Sequence, residues 1–503
     1  MSKQALLEFN LQKREPFLEA LEQYVLSKPV PFDVPGHKMG GFDNDLEEFV
    51  GKRTYECDIN GPYGMDNLVK PSGVIKEAED LCAKAFKADG CLFSVNGTTG
   101  GILTEILGVL RAKDKIILPR NVHKSVINAL ILSGAVPIFV KPDIDPLTGI
   151  SNGVPVEEYA KAIEQNPDAK VVFAINPTYF GLVSDLKAIA ALAHKHGMIA
   201  MADEAHGTHF YFSDRLPLGA LQAGFDITTA SMHKTGGSLT QSSLVMYKGK
   251  RVDWDRVKAV FSMMMSTSPN SLLMASIDAA RKRMFFDGDA LLGSTIAKCL
   301  RARKELSQIP GLSVIDHSYI DGKGRFGIDD TKLVVDVSGL GITGFDAYHE
   351  LKMRSNVQLE LGEFRCCLAI FGVGTTDEQT NTLISAFKEL SENHYSKRMV
   401  HRMPHFNFTY PELVVRPRVA FNAPHRVVPS KDAAGEISAE SVMIYPPGIP
   451  LLIPGERITV EALKELSFYK KHGGIILSDT KVGEISIVDR TKWYRASDLD
   501  SEF

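Results

Sequence analysis

Several features that would define a function class at once are absent from this sequence. It contains no apolar stretch of about 18 residues or more, so we expect no membrane-spanning helix. It contains no long run of Lys and Arg, and its net charge of −4 gives no reason to expect a nucleic acid as partner. The polar N-terminus also lacks the apolar core of a secretory signal peptide.

Cysteine is scarce as well, with six residues in a chain of 503. The cysteines are scattered without paired spacing, and neither a CxxC nor an HExxH sequence occurs, so we expect no metal site. In a chain of this length, such cysteines fit reduced thiols better than a disulfide framework. The sequence therefore predicts a cytoplasmic protein with no nucleic-acid or membrane partner.

The chain does have an alternating pattern between residues 91 and 247, where short apolar runs are separated by stretches of helical periodicity. This βαβα order predicts an α/β fold with a mainly parallel seven-stranded sheet and helices on both faces. The predicted strands span residues 91–95, 115–118, 136–140, 170–175, 198–202, 226–230 and 243–247.

The remaining chain is too long for one core, so we expect further domains. Amphipathic periodicity over residues 5–27 predicts one helix, which packs either on a partner subunit or on its own domain. Ser72 is predicted to cap a helix over residues 74–87. We expect an N-terminal helical arm, a large domain, a small α/β domain and a C-terminal domain, over residues 1–30, 31–290, 291–400 and 401–503.

A lysine follows one of the predicted strands. The sequence Ser231-Met232-His233-Lys234-Thr235 comes directly after the apolar run and precedes two glycines. A lysine that a strand places at its carboxyl end is a candidate Schiff-base lysine, and a solvated loop lysine is the alternative. Ser231 and His233 lie close enough in sequence to reach the same ligand.

Two other strand ends carry groups that complement this lysine. The turn at Gly97, Thr98 and Thr99 opens a helix, where backbone amides and hydroxyls favour a phosphate, although a plain capping turn has the same pattern. Asp203 ends another apolar run, and a buried carboxylate requires a cationic partner, either a Lys or Arg or a ring nitrogen. Parallel sheets bind ligands at the carboxyl ends of their strands. A phosphate turn, a carboxylate and a lysine are the groups that pyridoxal phosphate requires.

Four further residues are candidates for which an ordinary structural role is the alternative. His123 begins a helix after another strand, where it either caps the helix or stacks on a cofactor ring. His206 is ambiguous in the same way. His37 and Lys38 lie in a turn rich in Pro and Gly, where they either meet an anionic group or form an ordinary surface turn.

Taken in order, these motifs resemble the bacterial ornithine/lysine/arginine decarboxylases, fold-type-I enzymes that use pyridoxal phosphate. The larger members carry an N-terminal wing domain, for which the Pro-Gly-His-Lys motif near residue 35 leaves no room, so the chain resembles the shorter members. Some larger members also have an aromatic residue where His206 stands. The resemblance covers nearly the whole chain and is carried by residues 34–38, 94–99, 120–125, 176–181, 203–207, 231–235, 266–269, 445–450 and 454–456.

The resemblance implies roles for the candidate residues. Lys234 is expected to form the Schiff base, Asp203 to pair with the ring nitrogen, and His123 to stack on the ring, with His206 nearby. The phosphate is expected to be held by Gly97, Thr98, Thr99, Ser231 and His233.

Contacts with the substrate and the partner subunit are also implied. Glu360 falls where the family places a carboxylate for the distal cation of the substrate, and His37 and Lys38 are further substrate candidates. The hydroxyl-rich turn of Ser266, Thr267 and Ser268 is expected to reach the site of the neighbouring subunit. A homodimer, or a higher oligomer built of dimers, is therefore the expected active form.

The implied reaction is decarboxylation of a basic L-amino acid. Arginine, giving agmatine for polyamine biosynthesis, is expected first, then lysine to cadaverine, then ornithine to putrescine. Another reaction at Cα, such as transamination or aldol cleavage, is an alternative on the same fold. A catalytically silent regulatory paralogue is an alternative of another class, and intact Lys234 and Asp203 argue against it. Pocket depth decides between guanidinium and ammonium substrates, so this choice stays open.

Overall fold

A computed structural model describes residues 3–395, 410–445 and 449–493 of the chain. Residues 446–448 of the predicted C-terminal family motif lie outside the described residues. The chain divides into two compact units: unit 1 comprises Met1–Val109 and Met201–Gly293, and unit 2 comprises Leu110–Ala200 and Ser294–Phe503. Among the described residues, no helix has both the length and the apolar character that crossing a membrane requires.

The predicted α/β fold with a mainly parallel seven-stranded sheet is confirmed, and each strand lies within two residues of its predicted bounds. Long apolar runs fit these strands because helices cover both faces of such a sheet. The strand order is β1-β7-β6-β5-β4-β2-β3, with β7 antiparallel to its neighbours. The strands are β1 Gly90–Ser94, β2 Lys115–Pro119, β3 Val136–Val140, β4 Val171–Ile175, β5 Ile199–Glu204, β6 Ile227–Ala230 and β7 Ser243–Tyr247.

Unit 2 contains a second, antiparallel sheet of order β10-β11-β9-β8. Its apolar side chains include Leu333 and Cys367, both fully buried, and they pack against Phe387 in one core. Two small sheets of the C-terminal segment pair β12 with β16, and β13 with β14 and β15. These strands are β8 Ser313–Val314, β9 Lys332–Asp336, β10 Leu361–Gly362, β11 Cys366–Ile370, β12 His425–Pro429, β13 Val442–Tyr445, β14 Ile449–Leu452, β15 Ile475–Leu477 and β16 Glu484–Val488.

The α-helices of the described residues connect these strands and precede the first sheet. Their bounds are α1 Lys3–Leu11, α2 Pro16–Leu26, α3 Asp45–Val50, α4 Lys52–Cys57, α5 Val74–Ala85, α6 Gly97–Val109, α7 Lys124–Ser133, α8 Val156–Gln165, α9 Leu186–Lys195, α10 Ala220–Ala223, α11 Met232–Thr235, α12 Trp254–Met264, α13 Ser271–Leu306, α14 Gly344–Ser355, α15 Asp377–His394, α16 Pro417–Asn422 and α17 Val460–Lys471.

Two local predictions are wrong. The predicted single helix over residues 5–27 is two helices, because Pro16 starts α2 and its missing N–H would interrupt a longer helix. Ser72 does not cap α5 with its side chain. The Asp66 carboxylate takes this role, accepting hydrogen bonds from the Gly73 amide at 2.7 Å and the Ile75 amide at 3.1 Å.

Candidate active site

In unit 1, parallel pairing of β5 and β6 brings two predicted site segments to one edge of the sheet. Asp203 on β5 lies opposite Thr229 on β6, and Glu204 lies opposite Ala230. Ser231 and Lys234 follow β6 directly, so sheet register places them on the same edge as Asp203. The sequence predicts this arrangement because the side of a parallel sheet at which the strands end is fixed by their direction.

The predicted phosphate turn lies at the start of α6, a helix of 13 residues. Gly97 has a φ of +64°, a left-handed conformation that a side chain would disfavour. Thr98 Oγ1 contacts Ser231 Oγ and lies 2.9 Å from Ser243 Oγ, so hydroxyls from three elements meet beside the helix N-terminus. Hydroxyl donors together with the positive end of a helix dipole fit a phosphate. Thr99 is exposed.

Lys234 lies on α11, the short helix that follows β6. Its Nζ is 3.0 Å from His206 Nε2, and His206 is buried. An imidazole at this distance can exchange a proton with the amine, which gives His206 a position beside the predicted Schiff-base lysine.

His233, the residue before this lysine, has a different environment. Its Nδ1 donates a hydrogen bond to the Ser242 carbonyl oxygen at 2.8 Å. Burial lowers the pKa of His233 below its usual 6.5, the hydrogen bond to Ser242 opposes this shift, and the charge of Lys234 adds to it. The neutral ring therefore has its proton on Nδ1, and Nε2 becomes a donor toward a phosphate only after a second proton binds.

Asp203 is 6% exposed and accepts a hydrogen bond from the Ala205 amide at 2.9 Å. Within the described part of the chain it forms no ion pair with a Lys or Arg, so the salt-bridge alternative for this carboxylate finds no support. A buried carboxylate of this kind fits the ring nitrogen of pyridoxal phosphate as its cationic partner.

Glu204 is a buried residue that the sequence reasoning missed. It is fully buried and accepts hydrogen bonds from Tyr211 Oη at 2.5 Å, the Ala220 amide at 2.7 Å and Thr228 Oγ1 at 3.0 Å. These neutral donors tie the segment after β5 to β6. The sequence feature that could have identified Glu204 is its position at the end of an apolar run, next to Asp203.

His123, in unit 2, is the N-cap of α7, as the structural alternative for this residue expected. Its Nδ1 accepts a hydrogen bond from the Ser125 amide at 3.2 Å and lies 2.9 Å from Ser125 Oγ. The residue is exposed.

Glu360, also in unit 2, is exposed and accepts a hydrogen bond from the Tyr179 hydroxyl. The Tyr179 carbonyl oxygen in turn accepts a hydrogen bond from Lys332 Nζ at 2.7 Å. Tyr179 lies in a motif that carries the family resemblance, yet no local sequence pattern indicates that it contacts a carboxylate 181 residues away.

His37 and Lys38 contact neighbouring residues of unit 1. His37 Nε2 is 3.2 Å from Asp58 Oδ2, and the His37 ring packs edge-on against Tyr55 with centroids 5.0 Å apart. Lys38 Nζ donates a hydrogen bond to the Asp33 carbonyl oxygen. These contacts fit the turn alternative for both residues.

The turn of Ser266, Thr267 and Ser268 is exposed, and the Ser268 amide donates a hydrogen bond to Ser266 Oγ at 3.0 Å. Nowhere in the described ranges do three His, Cys, Asp or Glu side chains gather as metal ligands.

Comparison with known proteins relates this arrangement to a family. Residues 15–379 match the Orn/Lys/Arg decarboxylase major domain, and residues 397–473 match its C-terminal domain. The arginine decarboxylase of Bacillus subtilis is 42% identical over 452 residues, covering 90% of this chain and 92% of that protein. The arginine decarboxylase of Bacillus anthracis is 42% identical over 465 residues, covering 90% and 92%.

A solved structure shares the fold. The Francisella novicida lysine decarboxylase superposes with a TM-score of 0.82 at 22% identity, covering 94% of this chain and 81% of that one. Pyridoxal phosphate is the cofactor that the family and the fold indicate, and the residues of unit 1 fit it. The phosphate of the cofactor would be held by Thr98, Ser231 and the N-terminus of α6. Asp203 would accept a hydrogen bond from the ring nitrogen, and Lys234 would bind the aldehyde carbon. With the motifs, the fold and both domain matches in agreement, the chain is a member of the Orn/Lys/Arg decarboxylase family.

Proposed function

We propose that this protein decarboxylates L-arginine to agmatine and CO2, using pyridoxal phosphate. The observation that carries the reaction class is the assembly at the strand ends of unit 1, where a lysine, a buried carboxylate and a hydroxyl-lined helix N-terminus occur together. The relatives support arginine as substrate, because four curated arginine decarboxylases are 41–42% identical to this chain. A lysine decarboxylase of Pseudomonas aeruginosa is 24% identical.

Different residues of the chain have different roles in the proposed reaction. When bound, the cofactor supplies an electron sink for the electron pair that remains after CO2 leaves. Asp203 holds the ring nitrogen in its protonated form by accepting its hydrogen bond. Lys234 would deliver the proton that Cα takes up after CO2 leaves, and His206 Nε2, 3.0 Å from the amine, would return a proton to Lys234.

Glu360 is the proposed partner of the substrate guanidinium group. A carboxylate can accept two parallel hydrogen bonds from a guanidinium, which selects for arginine by geometry as well as charge. The Tyr179 hydroxyl holds this carboxylate in place. His123 is proposed to stack on the cofactor ring while its Nδ1 caps α7.

A homodimer is proposed as the active form, with the turn at Ser266, Thr267 and Ser268 reaching the partner's site. Support comes from exposed apolar side chains near the N-terminus, including Phe32 at 93% and Phe49 at 87% exposure. Exposed apolar side chains mark an interface between proteins where they gather into one contiguous patch. The proposed location is the cytoplasm, where the six cysteines, which form no disulfide, would stay reduced.

The test is CO2 release by cofactor-loaded protein given arginine, lysine and ornithine in separate reactions, with the amine products identified. We expect arginine to react at least about tenfold faster than the others, because a hydrogen-bonding site discriminates strongly against a substrate that leaves its groups unpaired. The Lys234→Ala variant should release no CO2 above background.

Faster turnover of lysine or ornithine would contradict arginine as the preferred substrate, but the protein would still be a decarboxylase. No release from any substrate by cofactor-loaded protein would contradict the reaction and favour the silent paralogue. Light scattering of the loaded protein tests the homodimer, and a monomer that retains full activity would contradict it.

A further inference from the structure

Glu105 is a buried carboxyl group of unit 1 that the proposed reaction does not use. Its side chain is fully buried in α6. Oε2 accepts a hydrogen bond from Thr229 Oγ1 at 3.0 Å, and Oε1 has no hydrogen-bond partner among the described residues. An ionised carboxylate is costly to bury without a cationic partner, so the position of this group requires an explanation.

Glu105 lies where α6 meets β6. Gly101, one helical turn before Glu105, approaches Thr229 so closely that a Cβ on this glycine would lie 2.2 Å from Thr229 Cγ2. The hydrogen bond from Thr229 to Glu105 is formed beside this close contact. Together the two contacts fix the helix that begins at the predicted phosphate turn against strand β6.

Strand β6 connects this contact to the rest of the proposed cofactor site. Thr229 lies two residues before Ser231 and five before Lys234. It is also the residue that lies opposite Asp203 in the parallel pairing of β5 and β6. A displacement at Thr229 would therefore move the hydroxyl, the lysine and the carboxylate that are proposed to hold the cofactor.

The charge of Glu105 follows from its surroundings. Burial, and then the neighbouring Asp203 and Glu204 charges, raise the pKa of Glu105 well above its usual range, against the opposing effect of the Thr229 hydrogen bond. Strands β6 and β7 present no other carboxyl or basic side chain to this face of α6, and Arg256 on α12 binds the carbonyl oxygens of Gly108 and Leu107, near the other end of the helix. Both burial and the neighbouring carboxylates therefore favour the uncharged form of the Glu105 carboxyl group.

We propose that Glu105 is a positioning residue of the cofactor site, acting through its hydrogen bond with Thr229. It holds β6 in place, and in its uncharged form it adds no third negative charge beside Asp203 and Glu204. The inference rests on the proposed function, because the site that Glu105 supports is the pyridoxal phosphate site.

The test measures the dissociation constant of pyridoxal phosphate for cofactor-free, full-length protein, together with the thermal midpoint of each variant. Glu105→Gln keeps an acceptor for Thr229 and is neutral, so its affinity should stay within about threefold of the parent. Glu105→Leu removes the acceptor and should weaken binding by at least about tenfold. Thr229→Val removes the donor and should shift affinity in the same direction.

Thr228→Val is the matched control. Thr228 is equally buried on the same strand, but its Oγ1 lies 3.0 Å from Glu204 Oε2 and 3.0 Å from the Ala202 carbonyl oxygen, so its one proton is donated to these acceptors and not to Glu105. This variant should lose thermal stability comparable to Thr229→Val and keep the parent's affinity for the cofactor. The comparison separates positioning of the site from general stability.

Three outcomes would overturn the inference. Glu105→Gln binding as weakly as Glu105→Leu would show that a charged carboxylate is required. Folded Glu105→Leu and Thr229→Val with parental affinity would show a purely structural role, and Thr229→Val alone decides this if Glu105→Leu does not fold. A parent protein that takes up no pyridoxal phosphate would overturn the proposed function as well, so the two failures are distinguishable.

Discussion

The two units place their functional candidates in different ways. In unit 1, candidates that the sequence identified at separate strand ends come into direct contact: the Thr98 hydroxyl touches Ser231, and Lys234 Nζ lies 3.0 Å from His206 Nε2. In unit 2, the candidates are held by their own local or loop contacts. His123 is the N-cap of α7, and Glu360 accepts a hydrogen bond from Tyr179, which is far away in the sequence.

This difference shows for which residues a sequence pattern predicts the position in the fold. A residue that follows a parallel strand has its place fixed by strand direction and register, so several such residues meet at one edge of the sheet. A residue in a cap or a loop is placed by whichever side chains reach it. We therefore expect substitutions in unit 1 to change the reaction most, and those in unit 2 to change substrate binding.

The largest expected effect is that of Asp203→Asn. The amide keeps the shape of the side chain and removes the charge that is proposed to hold the ring nitrogen protonated, so kcat should fall by about a hundredfold to a thousandfold. Asp226→Asn is the control, because Asp226 is also buried in unit 1 but lies 3.8 Å from Arg251 in an ion pair. Equal losses of kcat in both variants would remove the distinction between Asp203 and a structural aspartate.

The next largest effect should come from Glu360→Gln in unit 2. Loss of the proposed charge-assisted contact to the guanidinium should raise KM for arginine about tenfold to a hundredfold and change kcat less. Tyr179→Phe keeps the carboxylate and removes the hydroxyl that holds it, so its effect on KM should be smaller. An unchanged KM in Glu360→Gln would exclude this residue as the guanidinium partner.

Asp203 and Glu360 also differ in how well their surroundings could be predicted from the sequence. The seven strands lie within two residues of their predicted bounds, because buried parallel strands read as continuous apolar runs. From those strand ends the positions of Thr98, Asp203 and Lys234 follow. The Tyr179 contact to Glu360 does not follow, because no local pattern relates two loop residues that far apart.

The errors of prediction have equally specific causes. Helical periodicity continued across Pro16, but the proline started a new helix there. Asp66 took the capping role from Ser72 because a side chain from an earlier loop reached the same amides. Glu105 was missed because an apolar helix pattern with one carboxylate reads as an ordinary amphipathic helix, and only the fold shows that this side chain is fully buried.

A buried carboxyl group away from the strand ends should affect stability and not catalysis. Glu79 on α5 in unit 1 is 2% exposed and accepts a hydrogen bond from the Phe93 amide at 3.0 Å. Burial raises the pKa of Glu79 to about 8, from an ordinary value of 4.5. Since the folded value is the higher one, its contribution to stability is complete below pH 4.5 and is lost as pH rises toward 8.

Glu79→Gln removes this pH dependence and keeps the acceptor for Phe93. We expect the free energy of unfolding to rise by about 2–3 kcal/mol at pH 7 and by much less at pH 5, with kcat unchanged. Denaturant unfolding at both pH values measures the difference. A gain that is the same at pH 5 and pH 7 would contradict the protonated state of Glu79.

The smallest expected effect concerns His233. Burial lowers the pKa of His233 in the folded protein below its ordinary value of 6.5. Its contribution to stability is therefore complete above pH 6.5 and is lost as pH falls through the lower, folded value. His233→Gln in cofactor-free protein should flatten the fall of the unfolding free energy below pH 6.5. A slope that matches the parent protein would show that His233 is not the titrating group.

The central claim is that the strand ends of unit 1 build the cofactor site and that Lys234 binds the cofactor covalently. Borohydride reduction of protein loaded with pyridoxal phosphate makes that link permanent, and peptide mapping by mass spectrometry then identifies the modified lysine. The account predicts one modified residue, Lys234, and no modification in Lys234→Ala. Modification of a different lysine in the parent protein, with Lys234 left unmodified, would contradict it.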